Sequence, residues 1–517
     1  DDNVRRTDMK YDVIVVGGGS AGSVVAARLA EDPNTNVMLL EAGTDYPDIT
    51  NLPYEIQYGH TRAAEEPGAE HNWSLQGTIT QEQGEIHVAQ GKVIGGGGSI
   101  NGQVYLRGIP QDFDDWASWG NDEWSYTKVL PYFRKQETDM DIRDDFHGTD
   151  GPLPISRKEG ETWPVIQSAF HTACLQNGYD TTEDMNGVNP TGVGMVPMNN
   201  QNGVRMSTAI THLSPMRHRL NLTIRGNVFV RKVIIENGQV KGIEAESGGE
   251  VFILESDKVV LSAGALKSPH ILMLSGIGPK DQLDEFGVQV LQDTPGVGAN
   301  LRNHPISPIS FRVKEGIPLV PDASSVRIAL RYTAAGSHES NDMMMTTSSV
   351  FSPFTGEALP DRIGRISCVI ELPAGAGFVR LASPDPTVQP KFDYRYFSHP
   401  EDMRRMRDGI RLAVKILETD AYKGVSDERT APDEETLGDD DALDLWIRQT
   451  VGSARHVSGT CKIGPDSDPL AVVDQQCRVK GVQGLWIADS SVMPQVPRAN
   501  ANATAIMIGE RVAEWAA

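Results

Sequence analysis

The stretch YDVIVVGGGSAGSVVAARLAEDPNTNVMLLEAG, residues 11–43, constrains the fold more than any other. Residues 12–16 are a short apolar run of the kind that becomes a buried parallel strand. Gly17, Gly19 and Gly22 follow in GxGxxG spacing. In that spacing the first glycine permits a tight turn, the second lets backbone approach a pyrophosphate, and the third lets a helix pack closely on the strand. Residues 24–30 predict the helix, whose N-terminal end would face the phosphates. Residues 36–40 predict a second strand, and Glu41 ends it where an acid grips a ribose diol. Strand, glycines, helix, strand and acid in this order make a dinucleotide site rather than a chance glycine turn. Gly17, Gly19, Ser20, Ala21, Gly22, Glu41 and Ala42 are its expected first wall.

A second glycine segment, GKVIGGGGSINGQVYLRG at 91–108, is not a linker. Linkers are repetitive and serine-rich, whereas Val93, Ile94, Ile100, Val104, Tyr105 and Leu106 set this run inside core-forming sequence. The only other glycine-rich candidate for a dinucleotide turn, TPGVGAN at 294–300, lacks the third glycine and leads into LRNHP. One dinucleotide is therefore expected, with the run near Gly96 as its second wall.

The rest of the chain sets bounds. Its 517 residues allow two or three domains or one composite domain. A net charge of −23 argues against a nucleic-acid partner, and no apolar run approaches the ~20 residues of a membrane span. Cys174, Cys368, Cys461 and Cys477 show no zinc-like spacing, so no metal is expected. These thiols, with no apolar signal core ahead of the first strand, give a cytoplasmic location as the expectation.

The chain resembles the glucose-methanol-choline (GMC) oxidoreductases from Tyr11 to Glu510. The segments that carry the likeness are GKVIGGGGSINGQVYLRGIPQDFD, GALKSPHILMLSGIG, GVGANLRNHP, and RHVSGTCKIGP with IADSSVMPQVPRANANATAIMIGE. The resemblance implies a mixed α/β fold, with a Rossmann-like FAD-binding domain interleaved with a substrate domain built on a β-sheet flanked by helices. The expected FAD segments are 8–158, 223–296 and 470–517; the expected substrate segments are 159–222 and 297–469. It implies FAD as cofactor, with the glycine run against the flat flavin ring. The expected contacts are Val93, Gly96, Asn101, Gly102, Gln103 and Val104, then Val228 near adenine, Ala263, Asp489 and Ala501. Some family members bind FAD covalently through a His at the position of Ile100, so a non-covalent flavin is expected here.

The resemblance also assigns the chemistry. His456 in RHVSGT would take the hydroxyl proton of an alcohol while hydride leaves the adjacent carbon for FAD N5. Asn500 in PRANAN would hydrogen-bond the same oxygen. An imidazole of near-neutral pKa suits that base. The implied partners are a small-molecule alcohol and O2 or another electron acceptor. With aromatic residues at only 6%, nothing suggests a cage for a quaternary ammonium, which ranks choline below neutral primary alcohols. A hydroxynitrile lyase, which keeps FAD without net redox, and a non-catalytic flavin-binding protein are the alternatives. Met343, Met344 and Met345 are expected in the core, His304 in a structural role, and Cys461 as a buried thiol.

Overall fold

The computed structural model describes residues 5–157, 163–318, 326–348 and 360–517. Five short parallel strands form one sheet in the order Leu222–Arg225, Val37–Leu40, Val13–Val16, Val259–Leu261, Leu485–Ile487. Every residue of Val13–Val16, Val37–Leu40, Val259–Leu261 and Leu485–Ile487 is buried. That is why these strands read as unbroken apolar runs rather than alternating ones.

The first helix is Ser20–Leu29, so it starts earlier than residue 24. Gly19 is extended and serves as the N-cap, which puts Ser20 and Ala21 in the first helical turn. The last helix, Ala501–Ala516, packs along it. Gly509 makes this close approach possible, because a Cβ there would stand 2.7 Å from the Ala21 carbonyl oxygen. An ion pair from Arg28 to the buried Glu510, 2.8 Å, joins the two helices.

Phe229–Glu236 and Gln239–Ser247 form a hairpin, with Asn237 and Gly238 both at positive φ in its turn. They share a second sheet with Glu250–Glu255 and Arg5–Lys10. A third, antiparallel sheet runs Ser426–Ala431, Pro305–Val313, Ile363–Ile370, Met343–Ser348, Ile328–Tyr332, Gly192–Met195. The helix Pro400–Leu417 covers one face of it. Met403, Met406, Ile410, Ala413 and Leu417 fall on one side of that helix and are buried, as their spacing dictates. The strand Met343–Ser348 alternates: Met343 and Met345 enter the main core, but Met344 points the other way and borders a cavity. The three methionines therefore do not share one role.

His147 lies between Glu137, Asp139 and Asp184, at 2.9–3.1 Å from each. Glu137, Asp139 and His147 are grouped closely enough to hold an ion. Arg107 and Arg157 already supply positive charge there, pairing with Glu137 and with Asp139 and Asp184. Burial opposes a charge on His147, but its carboxylate partners outweigh burial and raise its pKa to about 11. No helix among the described residues is long and apolar enough to cross a membrane.

Candidate active site

A cavity of about 480 Å3 is lined jointly by the carboxyl ends of the parallel strands and by the antiparallel sheet. Open α/β sheets bind ligands at this edge. Gly17, Gly19, Ser20, Ala21, Glu41 and Ala42 line it on the nucleotide side. Gly17 has φ of 98°, and a Cβ there would meet the Ser262 carbonyl oxygen at 2.4 Å. Gly22 does not reach the wall; it lets the helix sit on the Gly17 turn, where a Cβ would stand 2.0 Å from the Gly17 oxygen.

The Glu41 carboxylate accepts from the backbone N–H groups of Gly18 (2.9 Å) and Gly43 (2.8 Å). Burial pushes its pKa up to about 7 against the pull of those two amides. The Glu41 carbonyl accepts from Val228 N at 2.9 Å, which brings Val228 to the same wall. Asp489 is buried at the end of Leu485–Ile487 and accepts from Gly264 N (2.9 Å), Ser268 Oγ (2.6 Å) and Ser491 N (2.8 Å). These bonds fix the turn after Val259–Leu261, where Ala263 also borders the cavity.

The second glycine segment closes on the first. A Cβ on Gly96 would lie 2.7 Å from Gly19 Cα, so the two segments touch back to back. At Gly97 and Gly102, both on the cavity wall, a Cβ would meet nothing within 4 Å and would project into the open space. That bare surface is what a flat ring system needs, and the residues present fit a flavin dinucleotide. Asn101 and Val104 also line the cavity, whereas Val93 and Gln103 do not. Val93 is buried behind the loop, its carbonyl accepting from Gly96 N at 2.8 Å. Gln103 turns away, with its Nε2 donating to the Gly203 carbonyl at 2.9 Å.

One residue behind this loop has no motif to announce it. Arg205 is fully buried and donates to the carbonyls of Asn101 (2.9 Å), Ser99 (2.8 Å), Glu55 and Ile56. It ties the glycine segment to the chain at 55–56.

At the other end of the cavity, His456 and Asn500 meet, with Asn500 Nδ2 at 2.9 Å from His456 Nε2. Asn500 occupies the N-cap position of Ala501–Ala516, yet its side chain makes no capping bond, and its Oδ1 has no partner among the described residues. Ala501 follows it on the wall. His304 lies behind His456, its Nδ1 2.7 Å from His456 Nδ1. Asn303 brings the two segments together, its Oδ1 accepting from the backbone N–H of both His304 (2.9 Å) and His456 (2.8 Å). Burial lowers the His304 pKa to about 3. His456 faces the cavity, and enclosure by protein holds its pKa well below the usual imidazole value, with His304, Arg455 and Arg62 adding to the effect. Arg455 and Arg62 also border the cavity and share Glu65 as counterion.

The wall near His456 is otherwise largely apolar, with Leu106, Val196, Ile306, Ala329, Met344 and Val369. Glu371 interrupts it: fully buried, with Oε2 3.9 Å from His304 Nδ1. Cys461 lies off the wall, and burial pushes its thiol pKa far up.

The family model for GMC oxidoreductases matches residues 11–306 with its N-terminal part and 373–509 with its C-terminal part. An uncharacterized GMC-type oxidoreductase encoded in the thcA 5' region of Rhodococcus erythropolis is 36% identical, over 98% of both chains. An oxygen-dependent choline dehydrogenase of Photobacterium profundum is 35% identical over 98% of this chain and 92% of its own length. Among solved structures, pyridoxine 4-oxidase from Mesorbium loti superposes with a TM-score of 0.90 at 30% identity, covering 98% of this chain and 99% of its own.

Proposed function

Because the chain belongs to the GMC oxidoreductases, an FAD-dependent family acting on CH–OH groups, we propose that His456 is the base and Asn500 the oxygen-binding partner in the oxidation of a neutral alcohol to an aldehyde or ketone. FAD, when bound, supplies the hydride acceptor at N5, and O2 or another acceptor restores it.

Only one proton fits between the Nδ1 atoms of His304 and His456. Carried on His456 Nδ1 and donated to His304, it leaves the lone pair on His456 Nε2, where Asn500 Nδ2 donates to it and a substrate hydroxyl would replace that contact. That nitrogen takes the hydroxyl proton as hydride leaves the carbinol carbon. Asn500 Nδ2 donates to the same oxygen as negative charge develops on it. The apolar wall excludes water and strengthens both interactions.

The observation that carries this reading is the 2.9 Å pairing of His456 with Asn500, whose side chain is left unused as a cap. Choline and pyridoxine are the alcohols named for two relatives. Among the described residues the aromatic side chains on the cavity wall are Trp73 and Phe229; Phe229 adjoins Val228, and neither belongs to the apolar wall near His456. A quaternary ammonium would find no aromatic face beside the base, which favours neutral alcohols. The test is an anaerobic screen of alcohols for bleaching of the oxidised-flavin band, followed by readmission of air. No bleaching by any alcohol would sink the reading, and the speed of recovery in air separates oxidase from dehydrogenase.

Two expected outcomes accompany it. Ile100 borders the cavity and offers no nucleophile, so acid or heat denaturation should release all the FAD into the filtrate. Flavin fluorescence comigrating with the denatured chain would contradict this. Asn500→Ala should slow flavin reduction by about 10²-fold, the effect of losing one donor to a developing oxyanion. The pH profile should keep its shape, since an amide does not titrate.

A further inference from the structure

We propose that Glu371 determines which alcohol is accepted, by donating a hydrogen bond from its carboxyl group to a second, uncharged oxygen of the substrate. The inference rests on the reading of the cavity as an alcohol-oxidising site.

Glu371 follows directly on the strand Ile363–Ile370, where its N–H donates to the Asp342 carbonyl at 2.8 Å. Glu371 borders the cavity and is fully buried, and neither carboxyl oxygen has a hydrogen-bond partner among the described residues. A buried polar group left in this state is costly unless something else satisfies it. The groups around it do not. His304 Nδ1, at 3.9 Å, is beyond hydrogen-bond reach and is engaged by His456. Arg331 acts on Glu371 from farther off, but its Nη groups are given to the carbonyls of Met185 (2.9 Å) and Arg498 (3.0 Å). Asp112 also acts from a distance and is paired with Arg498 at 2.8 Å. Burial outweighs Arg331 and pushes the Glu371 pKa up to about 8, so the group is a carboxylic acid at neutral pH.

A carboxylic acid offers one O–H donor and an acceptor. Leu106, Val196, Ala329, Met344 and Val369, which line the same cavity, offer neither. Glu371 borders the same cavity as His456, so a substrate reacting at His456 Nε2 can turn a second oxygen towards it. A plain alkyl alcohol therefore leaves the acid unpaired, whereas an alcohol with a second hydroxyl or an ether oxygen pairs it. Sites built to hydrogen-bond a substrate oxygen reject analogues lacking it more strongly than apolar pockets reject a missing methylene.

The experiment measures the second-order rate of flavin reduction, anaerobically, for 1-propanol, 1,2-propanediol, 2-methoxyethanol and 3-amino-1-propanol, using wild-type holoenzyme, E371Q and E371L. The wild type is expected to favour the diol and the ether alcohol over 1-propanol by about 10- to 100-fold. E371L should bring that ratio close to one, and E371Q, which keeps an N–H donor, should retain most of it. Flavin content of each variant checks the fold. Should E371L fail to retain flavin, the wild-type ratio and its value in E371Q decide. A ratio unchanged in E371L, a wild type with no preference, or a preference for the amino alcohol would each overturn the proposal. Reduction by 1-propanol without a diol preference removes only the role of Glu371. Reduction by none of the four, while another alcohol of the wider screen bleaches the flavin, also overturns the role of Glu371; only the absence of bleaching by any alcohol removes the alcohol reading as well.

Discussion

Replacing His456 by alanine is expected to slow flavin reduction by an alcohol about 10²- to 10⁴-fold, the usual contribution of a positioned acid–base group. The protein should stay yellow, because the glycine turns, Glu41 and Asp489 lie at other parts of the cavity wall. The loss should fall on the limiting rate rather than on the substrate concentration needed, as for an interaction made only in the transition state. The pH dependence follows from the lowered pKa of His456. The working form is the neutral imidazole, which exists above its pKa. Wild-type reduction should therefore stay level through neutral pH and fall only in acid, well below the pH at which an ordinary histidine titrates. The sequence alone suggested a near-neutral base; enclosure by protein and the neighbouring His304, Arg455 and Arg62 move it down. Stopped-flow bleaching across pH should show the acid limb in wild type and in Asn500→Ala, but not in His456→Ala. A mutant reduced at near wild-type speed would remove the base assignment from His456.

The second large effect concerns a residue with no chemistry of its own. Arg205→Met removes the donors to the carbonyls of Asn101, Ser99, Glu55 and Ile56, all beneath the glycine loop. Methionine fills much of the volume but leaves those acceptors unpaired in a site with no exposure, at a cost of at least about 3 kcal/mol. The loop that gives the cavity its bare face should then lose its shape, and the purified protein should retain little FAD and unfold at a lower temperature. Arg205→Lys should recover only part, since an ammonium cannot fork towards several carbonyls as a guanidinium does. Absorbance ratios at the flavin and protein bands, with thermal unfolding of each variant, provide the check. Full flavin content in Arg205→Met would show that the loop holds its shape without this anchor.

What could be read ahead of the structure was what is local. The first strand, the glycine turn, the helix, the second strand and Glu41 lie within about thirty residues and carry their own periodicity. The resemblance then named His456 and Asn500, and the structure brings them together with most of the expected cofactor residues. The misses have a common physical cause. His304 and His456 are 152 residues apart in sequence and joined through Asn303, a contact no pattern encodes. Arg205 works entirely through backbone carbonyls, which carry no side-chain signature. Met344 differs from Met343 and Met345 only by strand alternation, which matters once the two faces of the sheet are known. Glu371 looks like any acid after an apolar run until its lack of partners is seen.

The parallel sheet has a temporal consequence. Its strand Val259–Leu261 is flanked by Val13–Val16 on one side and Leu485–Ile487 on the other, and Ser262 Oγ reaches the carbonyl of Ala488, 226 positions later, at 2.5 Å. On a ribosome that synthesises from the N-terminus, four of the five strands are made while one edge of Val259–Leu261 still lacks its neighbour. An unpaired strand edge is a template for other chains, and contacts this remote in sequence form slowly. Asp489, Asn500 and the helix that holds Ala501 arrive with the same late segment. The chain thus cannot seal this sheet, or complete the cavity wall that Asp489, Asn500 and Ala501 share, until residues 485–501 have been made.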